Sequence, residues 1–244
     1  MKKYISVLEL MIRQKLYKVL LIILLMAAVQ VAGYYAFGCV GDASFEGGRA
    51  PLLLGCSFAA AYGAVVFCCI LPVKSKTKSE YLLCRLQVCE RAVILLDALS
   101  GAMMYALLYG AEIVTVCLLA ELYRRQPGYG GGLQGIVVSL YRSEFLHGLI
   151  PLKDVSLWQR NGLYIICAGI AGACGTFDQR NKARFSGVVI LVVAYIAADF
   201  CRAAGEVKYG YPGLIVILSA TSLIIAMVSA HHGYRRRPSD DGKA

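Results

Sequence analysis

The chain has 244 residues, of which 59% are hydrophobic and only 16% charged. That is more apolar residue than a water-soluble domain of this size carries, so the composition argues against a soluble globular fold and for an all-α, polytopic membrane protein. A net charge of +10 would fit nucleic acid in a soluble protein, but here the basic residues gather at the ends of apolar runs, where they orient spans and meet anionic lipid.

Residues 1–18 carry Lys2, Lys3, Arg13, Lys15 and Lys18, with Tyr4, Leu8, Met11 and Ile12 at helical spacing. This pattern predicts an amphipathic helix in the cytoplasmic interface, or else a positive flank for the span that follows. The first span is residues 19–41, uncharged and without a convincing cleavage site, and therefore retained. A loop with Asp42, Glu46 and Arg49 leads to the second span, residues 50–73, where Pro72 should kink or stop the helix.

Lys74 to Arg91, KSKTKSEYLLCRLQVCER, is a basic island between two apolar runs. Thr77 precedes Glu80 at capping-box spacing, so a cytoplasmic amphipathic helix over 78–91 is expected. Leu82, Leu86, Cys89 and Val93 fall on one of its faces and Glu80, Cys84, Gln87 and Arg91 on another.

The third span, residues 92–123, is interrupted by Asp97, Glu112 and Glu121. The positions of Gly101, Met104 and Leu108 put Asp97 and Glu112 on nearly one face, directed into a bundle rather than toward lipid. Two readings stay open for this pair. It is a cation, proton or substrate lining, or it is interhelical pairing, with Asp97 near the interface and close to Arg91.

A long connection, Arg124 to Arg160, opens with PGYGGGLQG, which has no following Lys-Ser or Lys-Thr and is a flexible loop rather than a phosphate cradle. Residues 135–152 are too short and charged to span but too apolar to lie in water, which fits an extracellular interfacial or re-entrant segment. Trp158 marks the interface ahead of the fourth span, 162–177. A polar turn, Asp178 to Arg184, separates it from the fifth, 185–200, and Arg202, Glu206 and Lys208 lie before the sixth, 211–230. Residues 1–234 form a single transmembrane domain, and 235–244 are expected to be a disordered tail. Placing both ends and the island in the cytoplasm puts 17 of the 25 lysines and arginines there.

No catalytic, metal or cofactor signature is present. HEXXH and GxSxG are both absent, the three histidines have no ligand spacing, and the ten cysteines lie mostly within apolar runs as small hydrophobes rather than ligands or disulfides.

The layout resembles the permease subunit of a type-two ABC exporter: an N-terminal interfacial helix, six spans with both ends inside, and a basic amphipathic helix, the island, between spans two and three. RLQVCERAVILLDAL, Arg85 to Leu99, is similar to the start of the third span in small bacterial members. The resemblance implies a multi-pass protein of the bacterial plasma membrane that is not itself an enzyme. It implies as partners a separate ABC-type ATPase subunit, a second permease chain of the same or similar kind and membrane lipid, with no nucleic acid. The island would contact the ATPase through Tyr81, Arg85 and Glu90. In that family the re-entrant segment lies between spans five and six, whereas here the candidate lies between three and four. An ion-coupled or facilitative carrier using Asp97 and Glu112, or a non-transporting accessory protein, are the alternatives.

Overall fold

The computed structural model describes residues 2–38, 49–70, 89–124, 144–151, 154–182, 187–204 and 212–235. Among them every regular element is helical: α1 (Lys2–Gly38), α2 (Arg49–Ile70), α3 (Glu90–Arg124), α4 (Glu144–Leu149), α5 (Val155–Lys182), α6 (Gly187–Ala204) and α7 (Gly213–Arg235). α1 and α3 are each long and apolar enough to cross a membrane, and α2, α6 and α7 contain shorter apolar stretches. Tyr81, Arg85 and the rest of the island up to Val88 lie outside the described residues, as do Gly128 to Gly135 and the tail after Arg235.

Three boundaries differ from the sequence expectation. The basic N-terminal turns are not a separate helix, because α1 runs unbroken from Lys2 through the apolar run. Val7 and Met11 on these turns pack against Val93 at the start of α3, so their apolar side is covered by protein and not only by an interface. α5 begins at Val155, seven residues before the expected span, and continues to Lys182 through most of the polar turn expected at 178–184. Its first turn is entered from Asp154, whose carbonyl accepts from Leu157 N at 3.1 Å. α2 is described as far as Ile70, and Leu71, Pro72 and Val73, the end of the expected second span, lie outside the described residues.

Side-chain pairs across the helices establish their directions. Lys15 faces Asp97 and Gln30 faces Glu112, both 82 residues apart, so α1 and α3 run parallel in one register. α5 runs antiparallel to α3, since Thr176 meets Asp97 while Asn161 meets Tyr109. α2 is antiparallel to α1 and α6, and α5 packs on α2, α3, α6 and α7.

α3 and α5 come into close backbone contact at two glycines. A Cβ on Gly169 would stand 2.6 Å from Ala102 N and 2.7 Å from Ala98 O, atoms that cannot rotate away, and a Cβ on Gly101 would stand 3.2 Å from Gly169 Cα. Small residues at a crossing let helix backbones touch, and that contact aligns the polar groups on either side of it.

The surface is inverted relative to a water-soluble bundle. Leu20, Leu24 and Leu25 of α1, Leu95, Val114 and Leu118 of α3, and Ile217, Ile224 and Ile225 of α7 are exposed, while Asp97, Glu112, Arg160 and Asp199 are buried. Apolar faces this extensive mark contact with a membrane or with another protein.

Candidate functional site

Three buried polar clusters cross the helix interfaces. The first is centred on Asp97, one of the two carboxylates singled out from the sequence. Lys15 Nζ lies 2.6 Å from its Oδ1 and donates also to Ser100 Oγ at 3.0 Å, while Thr176 Oγ1 donates to Oδ2 at 2.5 Å. The carboxylate thus draws on α1, α3 and α5 together. Its cationic partner is Lys15, four turns into α1, and not the neighbouring Arg91, which is exposed.

The second cluster holds Glu112. Gln30 Nε2 lies 2.9 Å from each Glu112 oxygen and 2.9 Å from Ser57 Oγ, and that hydroxyl donates to Leu54 O at 2.9 Å. Gln30 and Glu112 are both 0% exposed. Among the described residues no cation neutralises Glu112, and Gln30 Oε1 has no hydrogen-bond partner. Asp97 and Glu112 are therefore not one site. Fifteen residues of helix, about 22 Å at 1.5 Å per residue, separate them, and each has its own partner on α1.

The third cluster was not foreseen. Arg160 Nη1 lies 3.5 Å from Asp199 Oδ2, which also accepts from Tyr164 OH at 2.9 Å. The Arg160 guanidinium sits 5.6 Å from the centre of the Tyr164 ring and donates to Asn161 Oδ1 at 3.2 Å. Asn161 Nδ2 in turn donates to Tyr109 OH at 2.9 Å and to Gly148 O at 2.8 Å, and Tyr109 OH donates to Leu149 O. The last carbonyls of α4, which a helix end leaves without partners, are thus satisfied by side chains of α3 and α5. Beside this network Tyr62, Tyr105, Phe58 and Phe200 form an aromatic cluster, with Tyr62 and Tyr105 centroids 4.5 Å apart and Phe58 against Phe200 at 4.9 Å and 89°.

Asp199 lies within the run expected as the fifth span and Arg160 in what reads as a loop; the signal available was a single acidic residue in an apolar helix, which by itself marks a partner to be found. Gln30 gave less, being one uncharged residue in an apolar run. Glu90, an expected ATPase contact, is the exposed first residue of α3. His147 Nε2 lies 3.2 Å from Asp154 Oδ2 at the α4–α5 junction. Among the described residues no three His, Cys, Asp or Glu side chains come together in a metal-holding group.

Chemically, the first and third clusters each pair a carboxylate with a cation, Asp97 with Lys15 and Asp199 with Arg160. The second is a carboxylate with no cationic counterpart among the described residues. No protein-family model, curated protein or solved structure matches the chain.

Proposed function

We propose that this chain is the transmembrane subunit of an ATP-driven exporter, with α1, α2, α3, α5, α6 and α7 as six spans and both ends in the bacterial cytoplasm. The observation that carries the membrane part is the inverted surface: large apolar side chains face outward on α1, α3 and α7 while Glu112 and the pairs Lys15–Asp97 and Arg160–Asp199 are held inside. Their lengths of 18 to 37 residues correspond to about 27 to 55 Å, against a hydrocarbon core of about 30 Å. Coupling to a separate ATPase rests on the island, the basic amphipathic segment that ends where α3 begins with Glu90 exposed. In this reading closure of the ATPase pair moves the island, and α3 carries the motion to α1 and α5 through the paired Lys15, Asp97 and Thr176. A second permease chain completes the translocation path.

The test is the double change Tyr81→Ala and Arg85→Glu. It should leave insertion intact, because Lys74, Lys76, Lys78 and Arg91 still orient the loop, and release the ATPase subunit on co-purification from detergent. Truncating contact anchors commonly costs about 1 kcal/mol or more each, roughly a fivefold loss of affinity. Undiminished association in a well-inserted variant would sink the coupling role.

One observation favours a second reading, an ion-coupled carrier. Glu112 is fully buried with an amide as its only partner among the described residues, and a carboxylate in that setting is neutralised by a proton or a bound cation. Transport that persists without any ATPase and loses its ion dependence in Glu112→Gln would establish it.

A further inference from the structure

Cys56 on α2 and Cys201 on α6 are 145 residues apart in sequence, yet their sulfurs lie 4.0 Å from one another. Cys56 is exposed and Cys201 half-exposed, unlike Cys167 and Cys174, which are buried in the bundle. The alignment of the two helices at this level is held by rigid neighbours: Phe58, two residues from Cys56, packs edge-on against Phe200, adjacent to Cys201, with centroids 4.9 Å apart, and both rings are buried. The thiols therefore stay opposite one another for as long as that ring contact persists.

We infer that Cys56 and Cys201 form a thiol pair that closes to a disulfide across the α2–α6 interface. A bonded pair needs its sulfurs about 2.04 Å apart, so they must approach by about 2 Å, a movement to which rotation about the Cα–Cβ bonds of the exposed Cys56 and the half-exposed Cys201 contributes. Cys56 lies seven residues inside the start of α2 and Cys201 three residues inside the end of α6, about 10 Å and about 5 Å of helix rise. Both are thus near the same end of the bundle. In the topology proposed above, on which this placement rests, that end lies toward the outer side, away from the reducing thiol buffers of the cytoplasm.

The oxidant is an external disulfide. The thiolate of one cysteine attacks it, forming a mixed disulfide and expelling one thiolate. The second cysteine then attacks the mixed disulfide at the protein sulfur, closing the bridge and expelling the other thiolate, and the two protons from the cysteines go to the two leaving thiolates. The bridge closes a loop of more than half the chain and ties together two helices that otherwise meet by packing.

The experiment uses the full chain purified in detergent micelles and treated with oxidised glutathione, followed by alkylation, digestion and mass spectrometry. A Cys56–Cys201 cross-linked peptide is expected, two hydrogens lighter than the reduced pair. The oxidised protein should unfold at a higher temperature than the reduced form. Cys56→Ser should leave Cys201 as a stable glutathione adduct, Cys201→Ser should do the same for Cys56, and neither variant should gain thermal stability on oxidation. Recovery of both cysteines as separate adducts or as alkylated thiols in the natural sequence would overturn the pairing. A bridge that forms in micelles but is missing from acid-quenched, alkylated cell membranes would uphold the pairing and overturn the outward placement of these helix ends.

Discussion

Gln30 presents one amide nitrogen to both oxygens of Glu112 at 2.9 Å, in the same 82-residue register that joins Lys15 to Asp97. Two rungs thus tie one pair of parallel helices, one ionic and one not. The ionic rung satisfies its charges internally, whereas the other leaves a negative charge to be neutralised from outside the described protein atoms.

The two rungs should respond oppositely to removal of charge. Glu112→Gln keeps an acceptor for Gln30 while deleting a buried charge, and should leave stability unchanged or raise it by about 1 kcal/mol. Gln30→Leu strips the carboxylate of its donor and should lower stability by about 2 kcal/mol. Denaturant titration of the purified protein in micelles reads both. If Glu112→Gln were the more damaging change, Glu112 would owe its stability to a counter-charge rather than to Gln30.

At the other rung, either half of the ion pair alone is harmful. Lys15→Met and Asp97→Leu should each destabilise by about 3 kcal/mol, because the remaining charge is left in a mostly buried site. The double variant should recover part of that loss, giving a coupling energy of about 1 kcal/mol or more in a double-mutant cycle. Strict additivity would mean that the Asp97 carboxylate is held by Thr176 and that Lys15 is incidental.

The helix crossing supplies a comparison at constant chemistry. Gly169→Ala drives a Cβ into the backbone of α3 and should cost about 1 to 3 kcal/mol, while Gly172→Ala, three residues on with nothing within 4 Å, should be neutral or mildly stabilising. Thermal unfolding followed by circular dichroism would rank them. Equal effects would show that α3 and α5 do not cross at Gly101 and Gly169.

For the proposed topology, single cysteines placed in the tail and in Gly128 to Gly135 of a variant lacking the ten native ones should label from opposite sides in intact cells, the glycine loop from outside. Outside labelling of the tail would rule out six spans with both ends in.

Helix class, and the central stretches of the six long helices, are legible from the chain because they depend on local composition: an apolar run of about 20 residues is helical in lipid whatever its neighbours are. Asp97 and Glu112 are legible as inward-facing for the same reason, since a carboxylate in an apolar helix is costly to expose to hydrocarbon. Their partners are not legible. Lys15 reads as one more flanking charge and Arg160 as a loop residue, and both count toward the distribution of basic residues, yet each is paired with a carboxylate more than 35 residues away. Gln30 carries no local pattern at all, and Asp199, a lone acidic residue in an apolar run, announces a partner without identifying it. What selects these pairs is the register between helices, and that register is decided by small-residue contacts such as Gly101 with Gly169 and by ring packing such as Phe58 with Phe200. Such contacts arise from shape complementarity between segments distant in sequence, a property that no single helix contains. The same register sets Cys56 beside Cys201, two residues that read from the chain as small hydrophobes and that packing alone turns into a pair.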